Sequence, residues 1–270
     1  MVILDSNQWL HKVRDIEIDH AKIVLKQIIN IDPNKKISIL EIGSGDGYII
    51  DKLSDNYDNF DFLGLEVSSS SYINKSEKVI QYDGKKLDFL NRKFDIIFSV
   101  HVIEHIDDLE GHAKQIKNLL NPNGIWINIV PSKTWRFFTT LNYYPALIIN
   151  FANLYKKFVK IKENKNKSKN KAISKFSINP ISYLLPQRHG EVGNFITEYF
   201  YFSISNWSKI FRKICAKNNM VLLQSSHIPY FYYSRDLFRN LLSDKIRYLL
   251  ARLFGGSSII IICKNQSIYL

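Results

Sequence analysis

The chain has 270 residues, a hydrophobic content of 46% and a formal net charge of +12. This length fits one large α/β domain or one domain with an insertion, and the apolar content is enough for a packed core. The two cysteines, Cys215 and Cys263, lie far apart without metal-ligand spacing, so we expect no disulfide framework and a reduced cytosolic protein. The positive charge indicates an anionic partner but does not identify it.

The first segment of the chain predicts an amphipathic helix over residues 7–30, which is expected to cover the sheet or the ligand. The predicted stripe, with Leu25 lying off it, comprises Trp9, Val13, Ile16, His20, Ile23, Gln27 and Ile28. The N-terminus carries Asp5, Asp15, Glu17 and Asp19 and lacks the 7–15-residue apolar core of a signal peptide, so we expect a cytoplasmic location. Asp32-Pro33-Asn34 ends the segment with turn chemistry.

A strand and a glycine turn follow in Lys36–Tyr48, which reads KISILEIGSGDGY. Glycines at alternate positions let a backbone approach a nucleotide closely, and here they are Gly43, Gly45 and Gly47. A dinucleotide fingerprint would place its third glycine one position later, where this chain has Tyr48. Glu41 near the strand end disfavours a pyrophosphate and suits an ammonium group. The stretch therefore favours a ligand that carries an amino acid and an adenosine.

The string LEIGSGDG at residues 40–47 resembles the first motif of the class I methyltransferases that depend on S-adenosylmethionine (SAM). The resemblance implies a doubly wound, Rossmann-like α/β fold with a seven-stranded, mostly parallel sheet and an antiparallel last strand. It also implies SAM as the cofactor, bound at the carboxyl ends of the strands. The cofactor-binding residues that it implies are Glu41, Gly43, Ser44, Gly45, Gly47, Glu66, Val67, Asp83, Gly84 and Val100.

Strand and helix patterns alternate after the glycine turn, as a parallel sheet requires. A second strand over residues 60–65 ends at Glu66, where a carboxylate can accept two hydrogen bonds from ribose hydroxyls. By the resemblance, Asp83 after the third strand (79–82) accepts from the adenine amino group, although Asp-Gly is also an ordinary turn pair. The fourth and fifth strands are predicted over residues 94–100 and 125–130.

The segment HVIEH, residues 101–105, directly follows the fourth strand. It matches a zinc peptidase signature, but that chemistry needs both histidines on one helix, and this segment leaves a buried strand. In some quinone-type O-methyltransferases the corresponding stretch holds a divalent metal through two glutamates and a histidine. Here His101 replaces the first glutamate, which leaves His101, Glu104 and His105 as candidate ligands. Alternatively, His101 or His105 is the general base for a substrate hydroxyl, or Glu104 and His105 only pack the next helix.

Residues 132–204 form an insertion that the class I pattern does not explain. Residues 137–155 are uncharged and rich in aromatics, but their asparagines and Pro145 argue against a spanning helix. Residues 156–175 then carry nine lysines and one glutamate. The region 135–175 is predicted to meet an anionic membrane surface or to form a lid over the substrate, and a solvated loop is the alternative. RNA phosphates would also fit the lysines.

A second polar cluster, RHGE, follows at residues 188–191. We expect His189 to be a candidate base and Arg188 and Glu191 to contact substrate, with a surface loop as the alternative. The remaining elements are a helix over 206–217, a strand over 220–225, an extra basic amphipathic helix over 235–254 and a last strand over 258–263.

These patterns divide the chain into three regions. Residues 1–131 are the N-terminal helix and the SAM-binding half, 132–204 the insertion, and 205–270 the C-terminal half of the same domain. The predicted reaction is methyl transfer from SAM to an oxygen or nitrogen of a small-molecule or saccharide acceptor, which is lipid-linked if the enzyme works at the inner membrane face. The alternatives are an RNA methyltransferase, disfavoured because no RNA-binding module is recognisable, and a non-catalytic SAM-binding subunit.

Overall fold

The computed structural model describes residues 5–28, 36–57, 59–68, 76–145, 147–148, 185–191, 193–234 and 238–266. Its strands are β1 (Ile37–Ile42), β2 (Phe60–Val67), β3 (Val79–Tyr82), β4 (Phe94–Val100), β5 (Leu120–Pro131), β6 (Met220–Ile228) and β7 (Ser258–Asn265). They form one seven-stranded sheet in the order β3-β2-β1-β4-β5-β7-β6. The strands from β3 to β5 pair in parallel, whereas β7 runs antiparallel to both of its neighbours. The predicted fold class is therefore confirmed.

Helices flank this sheet. They are α1 (Ser6–Ile28), α2 (Tyr48–Ser54), α3 (Leu109–Leu119), α4 (133–145), α5 (Thr197–Tyr201), α6 (Ile204–Lys217) and α7 (Asp244–Phe254). A short 3-10 turn, Ile103–His105, follows β4, and α3 begins only after it, with Asp108 capping its N-terminus. The central strands carry long runs of buried apolar residues, such as Ile259–Ile262, because helices cover both faces of the sheet.

The buried face of α1 differs from the predicted stripe. The structure buries Trp9, Val13, Glu17, Ala21, Val24 and Leu25. Ile23, which the stripe included, is 57% exposed, and Leu25 is buried although it was predicted to lie off the stripe. The prediction was right for Trp9 and Val13 but wrong for Ile23 and Leu25, because it searched for apolar residues, whereas the buried row includes the carboxylate of Glu17.

Two element boundaries differ from the prediction by more than three residues. The fifth strand begins at Leu120, which pairs with Phe94, and a register shift accommodates residues 121–124 before Ile125 pairs with Ile96. The sequence Asn-Pro-Asn-Gly therefore makes an irregularity inside the strand rather than a loop before it. The extra helix before the last strand is confirmed, but it begins at Asp244, and turns occupy residues 238–241.

The insertion is described only at its two ends. Its start forms α4, and its end is the segment 185–191 together with the residues that lead into α5. The lysine-rich stretch 156–175 lies outside the described residues. Within the part of the chain that the structure describes, no helix is both long enough and apolar enough to cross a membrane.

A buried ion pair fixes the end of the insertion on the core. Nε of Arg136 on α4 lies 3.0 Å from Oε2 of Glu198 on α5, and both side chains are almost fully buried. Oε1 of Glu198 accepts hydrogen bonds of 2.7 Å from the backbone N–H groups of His189 and Gly190. Arg136 also donates to the carbonyl of Gln187 over 2.8 Å. The pair therefore holds the backbone that carries His189.

Replacing Glu198 with alanine should lower the free energy of unfolding by about 3–5 kcal/mol, because the change leaves the Arg136 guanidinium buried without its carboxylate. Lys217→Ala is the matched control, since it breaks an exposed pair with Glu110 and should cost less than about 1 kcal/mol. Urea denaturation followed by circular dichroism measures both values. Equal costs for the two variants would contradict a structural role for the buried pair.

Candidate functional site

The turn between β1 and α2 forms a backbone cradle at the carboxyl end of β1. Positive φ angles of 78°, 58° and 85°, which L side chains rarely adopt, are found at Gly43, Gly45 and Gly47. A Cβ atom on Gly43 would collide with the side chain of Val102, and one on Gly47 would lie 2.5 Å from the Cβ atom of Ser76. The turn therefore requires all three glycines, and close neighbours also require those at positions 43 and 47.

Two acidic side chains line this cradle. Glu41 is buried, and burial raises its pKa to about 8, which favours its neutral form at pH 7. Its Oε2 has no hydrogen-bond partner among the described residues. Glu66 accepts a 2.5 Å hydrogen bond from the backbone N–H of Gly45, so its carboxylate already faces the turn. Ser44, also buried, lies between the two acids in sequence and donates to the carbonyl of Glu41 over 3.4 Å.

The other expected cofactor contacts lie at the ends of neighbouring strands. Val67 ends β2, Val100 ends β4, and Asp83 and Gly84 follow β3. Asp83 accepts hydrogen bonds from the backbone N–H groups of the second and third residues after it, and these bonds lower its pKa. It therefore stabilises the Asp-Gly turn in this structure. Because β3, β2, β1 and β4 are parallel neighbours, their ends share one edge of the sheet, as the resemblance requires.

His101 lies in a buried polar network. Its Nε2 is 2.9 Å from Oε1 of Glu17 and 2.9 Å from the hydroxyl of Tyr232, and its Nδ1 is 3.6 Å from Oε1 of Glu104. Burial lowers the pKa of His101, but the charge of Glu17 together with the contacts to Glu104 and Glu17 outweighs burial, and the pKa is raised. The two carboxylates therefore favour the imidazolium form of His101. Nε2 of His101 is thus held by Glu17 and Tyr232, and the role of His101 as a base stays a prediction.

The sequence analysis missed the partner that α1 contributes. Oε1 of Glu17 accepts hydrogen bonds from Tyr232 over 2.7 Å and from Ser258 over 2.5 Å, and its Oε2 pairs with Arg14 over 2.7 Å. Burial would raise the pKa of Glu17, but His101 and Arg14 outweigh this effect and hold it well below its usual value. The carboxylate is thus ionised and fully paired.

A sequence signal for Glu17 was available. Glu17 stands four residues after Val13 and four before Ala21, which are both buried on the same face of α1. A charge in such a row indicates a buried carboxylate that needs a partner. Tyr232 carries no comparable signal, because it is one of four consecutive aromatic residues, YFYY at 230–233, and nothing in the sequence distinguishes it from its neighbours.

Glu104, His105 and His189 converge into a second group, which we call the Glu-His-His cluster. Nε2 of His189 lies 3.5 Å from Oε1 of Glu104, and the rings of His105 and His189 are 4.9 Å apart. One ligand atom from each of the three residues lies within 4.8 Å of the others. The structure thus unites two stretches, HVIEH and RHGE, that sequence reasoning treated as separate candidates.

The charges of this cluster follow from its surroundings. Burial alone would raise the pKa of Glu104, but the imidazoles of His101 and His189 outweigh it and lower the pKa to about 2. Burial lowers the pKa of His105. Both carboxylate oxygens of Glu104 are buried, and neither accepts a hydrogen bond from a described residue. The cluster therefore presents an ionised, unbonded carboxylate beside a neutral imidazole.

The two predicted substrate contacts flank the cluster at the surface. Arg188 and Glu191 pair with each other over 3.0 Å, and both are partly exposed. The backbone N–H of Glu191 donates to the carbonyl of Glu104 over 3.0 Å, and a Cβ atom on Gly190 would lie 2.7 Å from that same carbonyl oxygen. The insertion end therefore packs directly on the turn that follows β4. The roles of Arg188 and Glu191 toward substrate stay predictions.

The cradle and the cluster are neighbours. The side chain that closes on Gly43 belongs to Val102, which is two residues before Glu104 in the chain. The ends of β1 and β4 also pair directly, with Ile42 opposite Ser99. A ligand in the cradle and a second molecule at the cluster would therefore meet at this edge of the sheet.

Comparison with known proteins bears on this geometry. A family model described as a methyltransferase domain matches residues 19–242. The ubiquinone biosynthesis O-methyltransferase of Pelagibacter ubique is 26% identical over 142 residues, which cover 46% of this chain and 56% of that protein. The protein of the same name from Rickettsia typhi is 26% identical over 124 residues, with coverages of 44% and 50%. The chain thus spans about half the length of the curated relatives it matches.

Among solved structures, a chain from the complex between the Haloferax volcanii Trm112 methyltransferase activator and a methyltransferase aligns with a TM-score of 0.50. The alignment covers 98% of this chain and 97% of that one at 11% identity, which is a likeness of fold. The family match covers most of the chain, and the observed strand order is the one that the first-motif resemblance implied. The chain therefore belongs to the methyltransferase domain family and has the fold of the class I enzymes that use SAM.

Proposed function

We propose that this protein transfers the methyl group of SAM to an oxygen of a small-molecule acceptor whose reacting hydroxyl meets the Glu-His-His cluster. The observation that carries the proposal is the contact between the glycine cradle and the turn after β4, where Val102 closes on Gly43. This contact brings the expected cofactor site next to Glu104 and His105. Membership in the methyltransferase domain family supports the reaction class.

The expected binding mode of SAM uses both acids of the cradle. Glu66 would accept hydrogen bonds from the ribose hydroxyls, and Glu41 would face the ammonium group of the methionine part. In the transfer step the bond between sulfur and methyl breaks while the bond between methyl and the acceptor oxygen forms. The electron pair of the broken bond stays on sulfur, and the hydroxyl proton leaves toward the cluster. The protein's main contribution is to hold the two reactants in line.

An acceptor with an aromatic ring fits the surroundings of the cluster. The ring of His189 lies 4.6 Å from that of Trp135 and 6.5 Å from that of Phe202, which gives its neighbourhood an aromatic character. The curated relatives are named for O-methylation in ubiquinone biosynthesis, so we propose a hydroxylated aromatic acceptor of the quinone-precursor type. A saccharide acceptor is the alternative, and nucleic acid is disfavoured.

We also propose that the enzyme works at the inner face of an anionic membrane. Helices α4, α5 and α7 expose large apolar side chains, each at least 50% exposed: Phe137, Leu141, Phe200, Leu253 and Phe254. Ring contacts of 5.4 Å between Phe138 and Phe254, and of 6.2 Å between Phe137 and Tyr199, connect these helices into one surface. In sequence, α4 leads toward the lysines of 156–175. Apolar side chains beside a basic stretch favour an anionic lipid surface.

The acceptor class can be tested with SAM that carries a tritium-labelled methyl group. The full-length protein should transfer label to a bacterial lipid extract rather than to purified saccharides or RNA. His189→Ala should reduce the rate by about 100-fold or more, because it removes a group that receives the acceptor proton, while SAM affinity stays unchanged. Label in RNA would overturn the proposed acceptor. SAM binding without transfer to any fraction would indicate a non-catalytic subunit.

Glu41 should release a proton when SAM binds. At pH 7 its raised pKa keeps the free acid protonated, and an incoming ammonium group favours the carboxylate, so SAM affinity should rise from about pH 6 to pH 8. Calorimetry in two buffers with different ionisation enthalpies counts the protons. Glu41→Gln is the control, because it lacks the carboxyl group and leaves only the protons that SAM itself releases. Binding of SAM to this variant should therefore release fewer protons. Equal counts in the two proteins would exclude Glu41 from the ammonium site.

Membrane association can be tested by flotation with anionic and neutral vesicles. The wild-type protein should float with anionic vesicles, because lysines and exposed apolar side chains both favour that surface. A variant with Leu253 and Phe254 changed to serine, and a second with lysines 156–171 changed to serine, should each float less. Serine at Val221 and Leu223, exposed apolar residues on β6, is the matched control. If the wild-type protein and all variants floated to the same extent with vesicles as without them, the membrane proposal would be contradicted.

A further inference from the structure

We propose that His11 and Asp15 on α1 are positioning residues, which hold the glycine turn of the cradle in the conformation that binds SAM. The inference deepens the cofactor side of the proposed function, but it concerns SAM binding, which can be measured without methyl transfer. The sequence analysis named neither residue as part of the site. Both also lie outside residues 19–242, which the family model matches.

The glycine turn needs support from its surroundings. Glycine loses more conformational freedom on folding than any other residue, and this turn has three glycines at alternate positions. If such a turn were ordered only by its ligand, the cost of ordering would reduce the affinity, whereas a turn held in place beforehand avoids that cost. The side chains that a neighbour can hold on the α2 side of the turn are those of Asp46 and Tyr48.

His11 contacts both of these side chains. Its Nε2 lies 3.0 Å from Oδ2 of Asp46, and its imidazole is stacked on the ring of Tyr48, with 3.8 Å between the ring centroids and an interplanar angle of 0°. Oδ1 of Asp46 accepts a hydrogen bond of 3.2 Å from the backbone N–H of Tyr48. Asp46 therefore connects the start of α2 to α1.

Asp15 holds the same tyrosine at its other end. It stands one helical turn after His11 and so lies on the same face of α1. The hydroxyl of Tyr48 lies 3.0 Å from both carboxylate oxygens of Asp15, and Nζ of Lys52 on α2 lies 2.6 Å from Oδ1. The residue that follows the last glycine of the turn is thus held by its ring and by its hydroxyl.

The same helix also reaches the acceptor side of the site. Glu17, two residues after Asp15, contacts His101 at the end of β4. One helix therefore contacts both the glycine turn and the turn that leads to the Glu-His-His cluster. The contacts of His11 and Asp15 help to fix where the cradle stands relative to the acceptor, and methyl transfer depends on such alignment.

The first test measures SAM affinity of the full chain by calorimetry. His11→Ala should weaken SAM binding about 10-fold, because it removes the stacked ring and the hydrogen bond together. His11→Gln retains a donor for Asp46, and Tyr48→Phe retains the ring, so each should weaken binding less. Lys12→Ala is the matched control, because it breaks a 2.7 Å ion pair between α1 and Asp244 on α7 without touching the cradle. It should bind SAM as the wild type does.

The second test measures hydrogen exchange of the SAM-free protein by mass spectrometry. In His11→Ala the backbone amides of residues 43–50 should exchange faster, because the turn has lost its support, whereas those of β7 should exchange as in the wild type. A change confined to the turn distinguishes positioning from a general loss of stability. Faster exchange throughout the chain would overturn the inference.

The binding data separate this inference from the proposed function. Unchanged SAM affinity in His11→Ala would overturn the inference, and so would an equal loss of affinity in Lys12→Ala. SAM affinity that depends on His11, in a protein that transfers no methyl group, would overturn the proposed reaction and keep the inference. Methyl transfer by a protein whose SAM affinity does not depend on His11 would do the reverse.

Discussion

The arrangement of the site depends on His101, which lies between two buried carboxylates that raise its pKa. Glu17 comes from α1 and Glu104 from the turn after β4, and each would be costly to bury without a partner. The imidazolium compensates both, so that α1 is tied to the carboxyl end of β4 and the Glu104 carboxylate is held beside His189. The backbone of His101 lies in the left-handed region, with φ at 56°, which costs about 1–2 kcal/mol. Such strain persists only where the surrounding contacts fix the conformation, as the contacts of His101 with Glu17 and Glu104 do.

The family match and the polar network cover different parts of the chain. The matched residues are 19–242, whereas Glu17, Arg14 and Ser258 lie outside that range. Three of the groups that hold or balance His101 therefore come from residues outside the matched region. The methyltransferase fold supplies the cradle and the edge of the sheet. The residues outside the matched region supply charges and hydrogen bonds that hold His101 beside the Glu-His-His cluster.

Local patterns in the sequence were enough to predict the strands and the cradle, whereas the antiparallel last strand followed from the first-motif resemblance. The strand, glycine turn and helix of β1 to α2 form one continuous stretch, so their geometry follows from nearby residues. The contacts of His101 could not be predicted in this way, because Glu17 and Tyr232 are 84 and 131 positions away. The meeting of His189 with Glu104 also depends on a long-range contact, since Arg136 and Glu198 must first fold the end of the insertion back onto the core.

Charge balance shows how the acceptor side stays neutral during the transfer. Arg14, Glu17, His101 and Glu104 lie in a row in which basic and acidic groups alternate, and with His101 protonated their charges sum to zero. An acceptor that loses its hydroxyl proton would add a negative charge to this buried site. The sulfonium of SAM offsets that charge, and both charges disappear together when the methyl group moves from sulfur to oxygen. The released proton is the charge that remains, and an imidazole of the Glu-His-His cluster would take it, because this cluster lies beside the turn that closes on the cradle.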